Sequence, residues 1–420
     1  MRPLPITFLA RQFGAWSVIA LGVVTGKVLG PAARGVVETL VVLRLGMHAV
    51  STLGVPTAAT YAVARDPTLI RPAARTALAL GLGLGLATSI VLAVAVLLAP
   101  GWLAPVPPAF ALLFAASAPA ILSNQIAGGV LLGAGRVVAW NALTIVNRGT
   151  MLASLALLAF PPLRTIETVV AGLVVAETVT LAFVVRALAL GGAGGVGLDR
   201  GLVRSLRRYG LSSWLHGTLA FAMLRVDNLL LGAMAGPAEL GQYGAAGIAR
   251  EMILFLPWIA GMLFLPRVAG SVGRGLPAPA AGSEGPRPAT PRALPPAGWA
   301  VVLAACAILF VFAEPFILWS QDGRFRPAIP LVRILVPAAL LAGIGNLFLQ
   351  ELLGRGAPRA VYLAPASALV VSLVGNLLFI PHAGAVGTAW VALASAAVNF
   401  TIAGAAVLTA RREHAAGLRP

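Results

Sequence analysis

The feature that most limits the fold of this chain is a series of apolar runs, each long enough to cross a membrane. A helix rises about 1.5 Å per residue, so roughly 20 apolar residues span the ~30 Å hydrocarbon layer of a bilayer. Charged residues make up only 10% of the chain and the mean hydropathy is +0.94, whereas soluble domains carry about 25% charged residues. We therefore predict an all-α polytopic membrane protein. Its twelve predicted spans lie near residues 8–28, 36–64, 73–99, 103–132, 139–160, 167–190, 209–235, 240–265, 298–319, 328–353, 360–381 and 385–409.

A basic segment, 192–208, follows the sixth span and divides the chain. It separates a predicted N-terminal six-helix bundle, 1–191, from a predicted C-terminal six-helix bundle, 209–410. Within the second bundle, 270–296 is rich in Pro, Gly and Ala, a composition typical of a flexible loop. Residues 411–420 are a predicted tail.

An internal repeat supports the division into two bundles. The segment 26–35, GKVLGPAARG, aligns with 232–241, GAMAGPAELG, at an offset of 206 residues. The same offset carries Arg44 onto Arg250, and a later turn, LLGAG, recurs as LLGRG. Both halves would cross the membrane in the same direction. The pattern therefore predicts a parallel repeat about a pseudo-two-fold axis along the membrane normal.

The distribution of basic residues predicts the orientation in the membrane. With the N-terminus placed in the cytoplasm, twenty of the 30 Lys and Arg residues fall in cytoplasmic segments, five in outer loops and five within spans. This asymmetry follows the positive-inside rule, so both termini are predicted to be cytoplasmic. The formal net charge of +17 then reflects topology, and we expect no nucleic-acid partner.

Charged residues inside the predicted spans are the candidate functional residues, because a charge near the bilayer centre is costly and usually faces a cavity or another charge. Arg44 and Arg250 each lie nine residues past the glycine that ends the repeated turn, which is about 13 Å along a helix. The cationic candidates for substrate binding are Arg44, Arg148, Arg225 and Arg250. The candidates for charge partners or for ion coupling are His48, Glu177, Asp227 and Glu251.

A purely structural role stays open for two of the acids. Arg148 and Glu177 would lie at nearly the same depth in spans five and six, where they could form a buried pair that joins two helices. Asp227 could play the same part for Arg250 or Arg225.

The sequence lacks the usual signatures of an enzyme. It contains no Walker A loop, no metal-ligand spacing and no nucleophile elbow. Its single cysteine, Cys306, provides neither a disulfide framework nor a cysteine metal site. The predicted outer loops are short, which counts against a polyprenyl-glycan polymerase or ligase. We expect a transporter without catalytic residues, metal or cofactor.

Several segments resemble one branch of known transporters. They are GKVLGPAARG and STLGVPTAATYAVARD near the N-terminus, LRVDNLLLGAMAGPAELGQYGAAGIAR in spans seven and eight, and VGNLLFIPHAGAVGTAWVALAS near the C-terminus. These segments are similar to Wzx-type oligosaccharide flippases of polysaccharide biosynthesis, which share the MATE/MOP superfamily with MATE exporters and lipid II flippases. Twelve predicted spans rather than fourteen set the chain apart from the lipid II subgroup.

The resemblance implies a flippase that moves undecaprenyl-diphosphate-linked oligosaccharides from the cytoplasmic to the periplasmic leaflet of the cytoplasmic membrane by alternating access. Its expected partners are this lipid-linked substrate, membrane lipids, and a glycan polymerase with other polysaccharide-assembly proteins. The basic candidates agree with this function, because Arg binds phosphate through its planar fork of donors. Two alternatives stay open: a MATE-like ion-coupled exporter of small molecules, and a non-transporting membrane scaffold of a glycan-assembly complex.

Overall fold

The computed structural model describes residues 3–103, 105–190, 192, 195–271, 296–354 and 358–415, and every regular element within them is helical. Short 3₁₀ turns connect several of the helices. The α-helices are α1 (Pro3–Leu29), α2 (Pro31–Gly46), α3 (Val55–Arg65), α4 (Ile70–Leu98), α5 (Pro108–Ala116), α6 (Ala118–Gly133), α7 (Val137–Ala156), α8 (Ile166–Leu190), α9 (Arg200–Ala235), α10 (Pro237–Ser271), α11 (Pro296–Val311), α12 (Ala313–Ser320), α13 (Ala328–Gly354) and α14 (Pro358–Ala415).

The described helices account for the predicted membrane spans. Eight helical stretches are long and apolar enough to cross a membrane, and two bent pairs, α2 with α3 and α11 with α12, raise the number to ten. Helix α14 is broken at Gly384, and Ser395 Oγ donates to the carbonyl of Ala368 across the break at 2.8 Å. Its two halves therefore lie side by side as two spans. The 35-residue α10 covers the remaining predicted span, 240–265, although it is not among the stretches counted as long and apolar enough.

The chain forms two compact units, Met1–Gly241 and Gln242–Pro420. Asp199 caps α9 by accepting a hydrogen bond from the backbone N–H of Leu202 at 2.9 Å, so residues 200–208 of the predicted linker are helical. The division into repeated bundles at 192–208 stays a prediction. Most of the predicted loop 270–296 and the end of the tail, 416–420, lie outside the described residues.

The turn that the sequence repeats has the same backbone conformation in both copies. Gly30, between α1 and α2, has φ 93° and ψ −178°, and Gly236, between α9 and α10, has φ 88° and ψ 176°. A positive φ is accessible to glycine but strained for other residues. The proline that follows each glycine begins the next helix, where its missing N–H group is not needed. The sequence match thus corresponds to a shared local structure.

The two turns pack against each other in a reciprocal way. A Cβ atom at Gly35 would overlap the backbone carbonyl of Pro237, and one at Gly241 would overlap the carbonyl of Pro31. The offset of 206 residues relates the two glycines to each other and the two prolines to each other. Each contact is therefore the counterpart of the other, as in a contact across a two-fold axis. Glycine permits this close approach of helices because it has no side chain.

The second span is interrupted between α2 and α3. Residues Met47–Ser51 form a π-helical segment, and after it Leu53 (φ 49°) and Gly54 (φ 70°) have left-handed backbone conformations. The two helices consequently meet at an angle of 54°. Such π-helical insertions are common at functional sites.

Helix α9 stabilises this interruption. Trp214 Nε1 donates a hydrogen bond to the carbonyl of Val50 at 2.8 Å, and Thr218 Oγ1 donates to the carbonyl of Ala49 at 3.1 Å. Backbone groups inside a bilayer have no water to bind, so a broken helix requires partners from neighbouring helices. The side chains of α9 provide them.

We predict that larger residues at the reciprocal glycines destabilise the protein. Gly35→Leu or Gly241→Leu should lower the free energy of unfolding by about 1–3 kcal/mol, because overpacking of a tight contact has a cost of this size. Gly83→Leu in α4 is the matched control, since no atom lies within 4 Å of the Cβ position there. Thermal unfolding in detergent micelles measures the difference, and equal melting temperatures for the three variants would contradict the prediction.

Candidate functional site

Four of the predicted candidates come together inside the unit Met1–Gly241. Arg44 of α2 donates a hydrogen bond through Nε to Oε1 of Glu177 of α8 at 2.6 Å. Arg148 of α7 lies within electrostatic reach of both residues. His48 of the π-helical segment lies within reach of all three. We call these four residues the Arg44–Glu177 cluster.

Asn124 of α6 completes the surroundings of the buried carboxylate. Its Nδ2 donates to the backbone carbonyl of Glu177 at 3.0 Å and to Oε2 of the same residue at 3.1 Å. The Oδ1 atom of Asn124 is buried and has no hydrogen-bond partner. Glu177 is only 3% exposed, so its negative charge depends on Arg44 and on this amide for stabilisation.

The cluster contains more positive than negative charge. With His48 neutral, one carboxylate is paired with Arg44, and a second guanidinium, that of Arg148, lies within electrostatic reach of it. Among the described residues, the hydrogen-bond partner of Arg148 is Sδ of Met151 at 3.8 Å, which is a weak acceptor. No nitrogen of Arg44 or Arg148 is both buried and without a partner. The N–H groups of Arg44 and Arg148 that make no protein hydrogen bond are therefore at least partly exposed.

The observed ion pair is not the Arg148–Glu177 pair that the sequence analysis offered as a purely structural alternative. Glu177 accepts its hydrogen bond from Arg44 rather than from Arg148. Residue spacing predicts the depth of a side chain within a span. It does not predict which of the neighbouring helices lies closest to that side chain.

Helix α9 carries Arg225 and Asp227 in a second polar group. Asp227 is buried, and its Oδ1 accepts a hydrogen bond from the backbone N–H of Asn228 at 2.8 Å. Asn228 Nδ2 in turn donates to Oε1 of Glu38 on α2 at 3.0 Å. Arg225 is half-buried on the same helix. This group joins α2 to α9 nearer to the Gly30 turn than the Arg44–Glu177 cluster lies.

Three residues of this second region, Arg34, Glu38 and Asn228, were not among the candidates predicted from the sequence. Arg34, which precedes the second predicted span, is buried in the first turn of α2, and Glu38 follows it one helical turn later. This i, i+4 spacing of opposite charges was the available signal. Neither Glu38 nor Asn228 has a charged counterpart in the sequence repeat. The 206-residue offset relates Glu38 to Gly244 and Asn228 to Gly22.

Arg250 and Glu251 lie on α10, in the unit Gln242–Pro420. Their side chains approach to 3.7 Å between Nη2 and Oε1. The guanidinium group of Arg250 also lies over the ring of Tyr243, with its Cζ 5.8 Å from the ring centroid, a distance at which cation–π attraction acts. Neighbours on the same helix therefore hold Arg250. Within the described residues, no three His, Cys, Asp or Glu side chains come together as around a metal ion.

No family model and no curated protein matches the sequence, but solved structures match the fold. A multidrug resistance MATE family transporter of the MOP superfamily, in an inward-facing conformation, aligns with a TM-score of 0.70 at 15% identity over 95% of this chain and 96% of that chain. The lipid II flippase MurJ, in an inward closed conformation, aligns with a TM-score of 0.73 at 9% identity over 96% and 87%. A MOP superfamily transporter from Pyrococcus furiosus, described by the reverse polarity of its binding pocket, aligns with a TM-score of 0.56 at 15% identity over 100% and 95%.

These alignments confirm the predicted fold class, since the chain has the twelve-span, two-bundle fold of MOP superfamily transporters. At 9–15% identity they show the fold alone, so membership of the superfamily and of its Wzx-type branch stays a prediction.

We predict that removing one partner of the ion pair is more costly than removing both. Glu177→Ala leaves the Arg44 charge unpaired in a span and should lower the free energy of unfolding by about 3–5 kcal/mol. The double variant Arg44→Met with Glu177→Leu should lose less, because both charges are replaced by apolar groups. Glu167→Ala, at the exposed start of α8, is the control. Melting temperatures in detergent decide between these outcomes; a double variant at least as unstable as Glu177→Ala contradicts the prediction.

Proposed function

We propose that this protein is a flippase that moves undecaprenyl-diphosphate-linked oligosaccharides across the cytoplasmic membrane by alternating access. The observation that carries the proposal is the excess positive charge of the Arg44–Glu177 cluster. Arg44 and Arg148 extend from different helices, and both interact electrostatically with the one carboxylate of Glu177. Their N–H groups without a protein partner are at least partly exposed. An anionic substrate would supply the missing negative charge.

A diphosphate fits such a site in charge and in hydrogen bonding. Arg presents its donors in a planar fork that matches phosphate oxygens, and its charge persists in a poorly hydrated environment. Electrostatic attraction is also stronger inside a membrane protein than in water. Arg225 and Arg250 are proposed as further cationic groups that the diphosphate meets as it crosses.

The excess positive charge argues against the two alternatives. A MATE-like exporter of organic cations would place its substrate beside two guanidinium groups, which would repel it. The fold does not decide this point, because a MATE transporter and the lipid II flippase MurJ align with similar TM-scores, 0.70 and 0.73. A scaffold that transports nothing has no need of buried charge in excess, which is costly in a membrane.

The proposed setting follows from the charge asymmetry of the loops and from the resemblance. Both termini would be cytoplasmic, and the bundles 1–191 and 209–410 would expose the site to each side in turn. A glycan polymerase and other polysaccharide-assembly proteins would use the exported substrate. The energy would come from an ion gradient, the membrane potential or consumption of the product. The proposed groups for ion coupling or charge pairing are His48, Glu177, Asp227 and Glu251.

We predict that Arg44→Ala and Arg148→Ala each slow leaflet exchange at least tenfold. A hydrogen bond to a charged group contributes about 1.5–3 kcal/mol, which corresponds to roughly ten- to a hundredfold in binding. The measurement uses proteoliposomes with a fluorescent undecaprenyl-diphosphate oligosaccharide and an impermeant quencher. Arg186→Ala, at an exposed position of α8, is the matched control and should exchange lipid like the wild type.

Two results would change the proposal. Exchange by both variants at the wild-type rate would remove the Arg44–Glu177 cluster from substrate binding. Absence of exchange by the wild type, together with uptake of a fluorescent organic cation into the same vesicles, would favour the MATE-like alternative.

A further inference from the structure

In the described part of the chain, Arg44 is the cation that hydrogen-bonds to Glu177, and under the proposed function it also binds the diphosphate. We propose that the two anions compete for Arg44, so that substrate binding releases Glu177 and the released carboxylate takes up one proton. The inference rests on the proposed function, because it needs a diphosphate at Arg44. It makes the protein a flippase in which substrate binding and proton binding are coupled.

Glu177 has little to stabilise its charge once Arg44 turns away. The carboxylate is buried in α8, and its side-chain hydrogen bonds come from Arg44 Nε at 2.6 Å and from Asn124 Nδ2 at 3.1 Å. Asn124 is neutral. Arg148 makes no hydrogen bond to Glu177 in the described structure and would itself turn to the substrate. A buried carboxylate that loses its cation becomes neutral rather than remaining charged.

The charges of the filled site lead to the same result. Arg44 and Arg148 carry two positive charges, and a diphosphate diester, with one ionised oxygen on each phosphorus, carries two negative charges. An ionised Glu177 would leave one negative charge in excess within the membrane. A proton on Glu177 makes the filled site neutral, which is the favourable state in a medium of low dielectric constant.

Asn124 can supply an acceptor for the proton if its amide rotates, because Nδ2 rather than Oδ1 contacts Glu177 in the structure. A protonated carboxyl group donates through its O–H and needs an acceptor. The Oδ1 atom of Asn124 is a buried acceptor without a partner, on the same amide that contacts Glu177. In the proposed step the proton comes from solution and binds a carboxylate oxygen of Glu177. The Arg44 hydrogen bond to Oε1 breaks, and the guanidinium donates to a phosphate oxygen instead; no covalent bond between heavy atoms changes.

The other titratable group that faces Glu177 is His48. It lies in the π-helical segment, within electrostatic reach of Glu177, Arg44 and Arg148. A proton on His48 would add a third positive charge beside two arginines before substrate arrives, which is unfavourable. Glu177 is therefore the better acceptor, and the experiment must separate the two residues.

The test measures proton uptake on binding. Full-length protein in detergent is titrated calorimetrically with undecaprenyl-diphosphate-linked oligosaccharide at several pH values, and at each pH in two buffers that differ in ionisation enthalpy. The lipid is a diphosphate diester, so its phosphates do not titrate near neutral pH. The wild type should take up about one proton per lipid bound, and its affinity should fall by up to about tenfold for each unit of rising pH, as linkage requires.

Two variants test whether the proton binds to Glu177. Glu177→Gln keeps the side-chain size and should abolish both the proton uptake and the pH dependence. It should also bind the lipid more tightly near neutral pH, because no carboxylate competes for Arg44. Glu167→Gln, on the exposed first turn of α8, is the matched control and should behave like the wild type. If Glu177→Gln does not fold, infrared difference spectra of the wild type should show a protonated carboxyl band appearing on lipid binding.

Three other results would overturn the inference, and one of them would also overturn the proposed function. Lipid binding without proton uptake, or without the carboxyl band, overturns this inference and leaves the proposed function intact. Proton uptake that survives Glu177→Gln but disappears in His48→Asn assigns the proton to His48 and also overturns it. Failure of the wild type to bind the lipid overturns the proposed function together with the inference.

Discussion

Inside a bilayer, every backbone group and every charge must find its partner within the protein, and this constraint governs each unusual feature of the structure. The second span breaks at Met47–Ser51, and side chains of α9 bind the carbonyls of the broken segment. Glu177 is buried, and it lies against Arg44 and Asn124. Arg44 and His48 lie on the end of α2 and on the π-helical segment, so the break in the second span adjoins the candidate site.

The same constraint indicates that the candidate site prefers an anionic ligand. A neutral arrangement would need one carboxylate for each guanidinium, yet the Arg44–Glu177 cluster has two guanidinium groups for one carboxylate. The surplus charge is stable only where an anion or water can reach it. Under the proposed function, a transported diphosphate would satisfy the site for part of the cycle. Since the same fold serves transporters of different substrates, the charge of the site carries the functional proposal and the fold does not.

The residues of the site were more predictable than their contacts. Intramembrane charge alone singled out Arg44, Arg148 and Glu177 as candidates, because such residues are costly without a role. The depth along each helix also suggested that Arg148 and Glu177 lie together. The sequence could not show that Arg44 rather than Arg148 pairs with Glu177, nor that Asn124 binds the same carboxylate. The contact between Asn228 and Glu38 was not predictable, because it joins helices distant in the chain.

The sequence by itself determined the class of fold, the number of spans and the repeated turn. Those features follow from local properties: the length of apolar runs, and glycine followed by proline where a helix must end and another begin. The tertiary structure decided that Gly35 packs on Pro237, that Trp214 supports the break in the second span, and that Arg44 pairs with Glu177. Each of these contacts joins residues more than 100 positions apart. The packing of helices brings such residues together, and packing depends on many side chains at once.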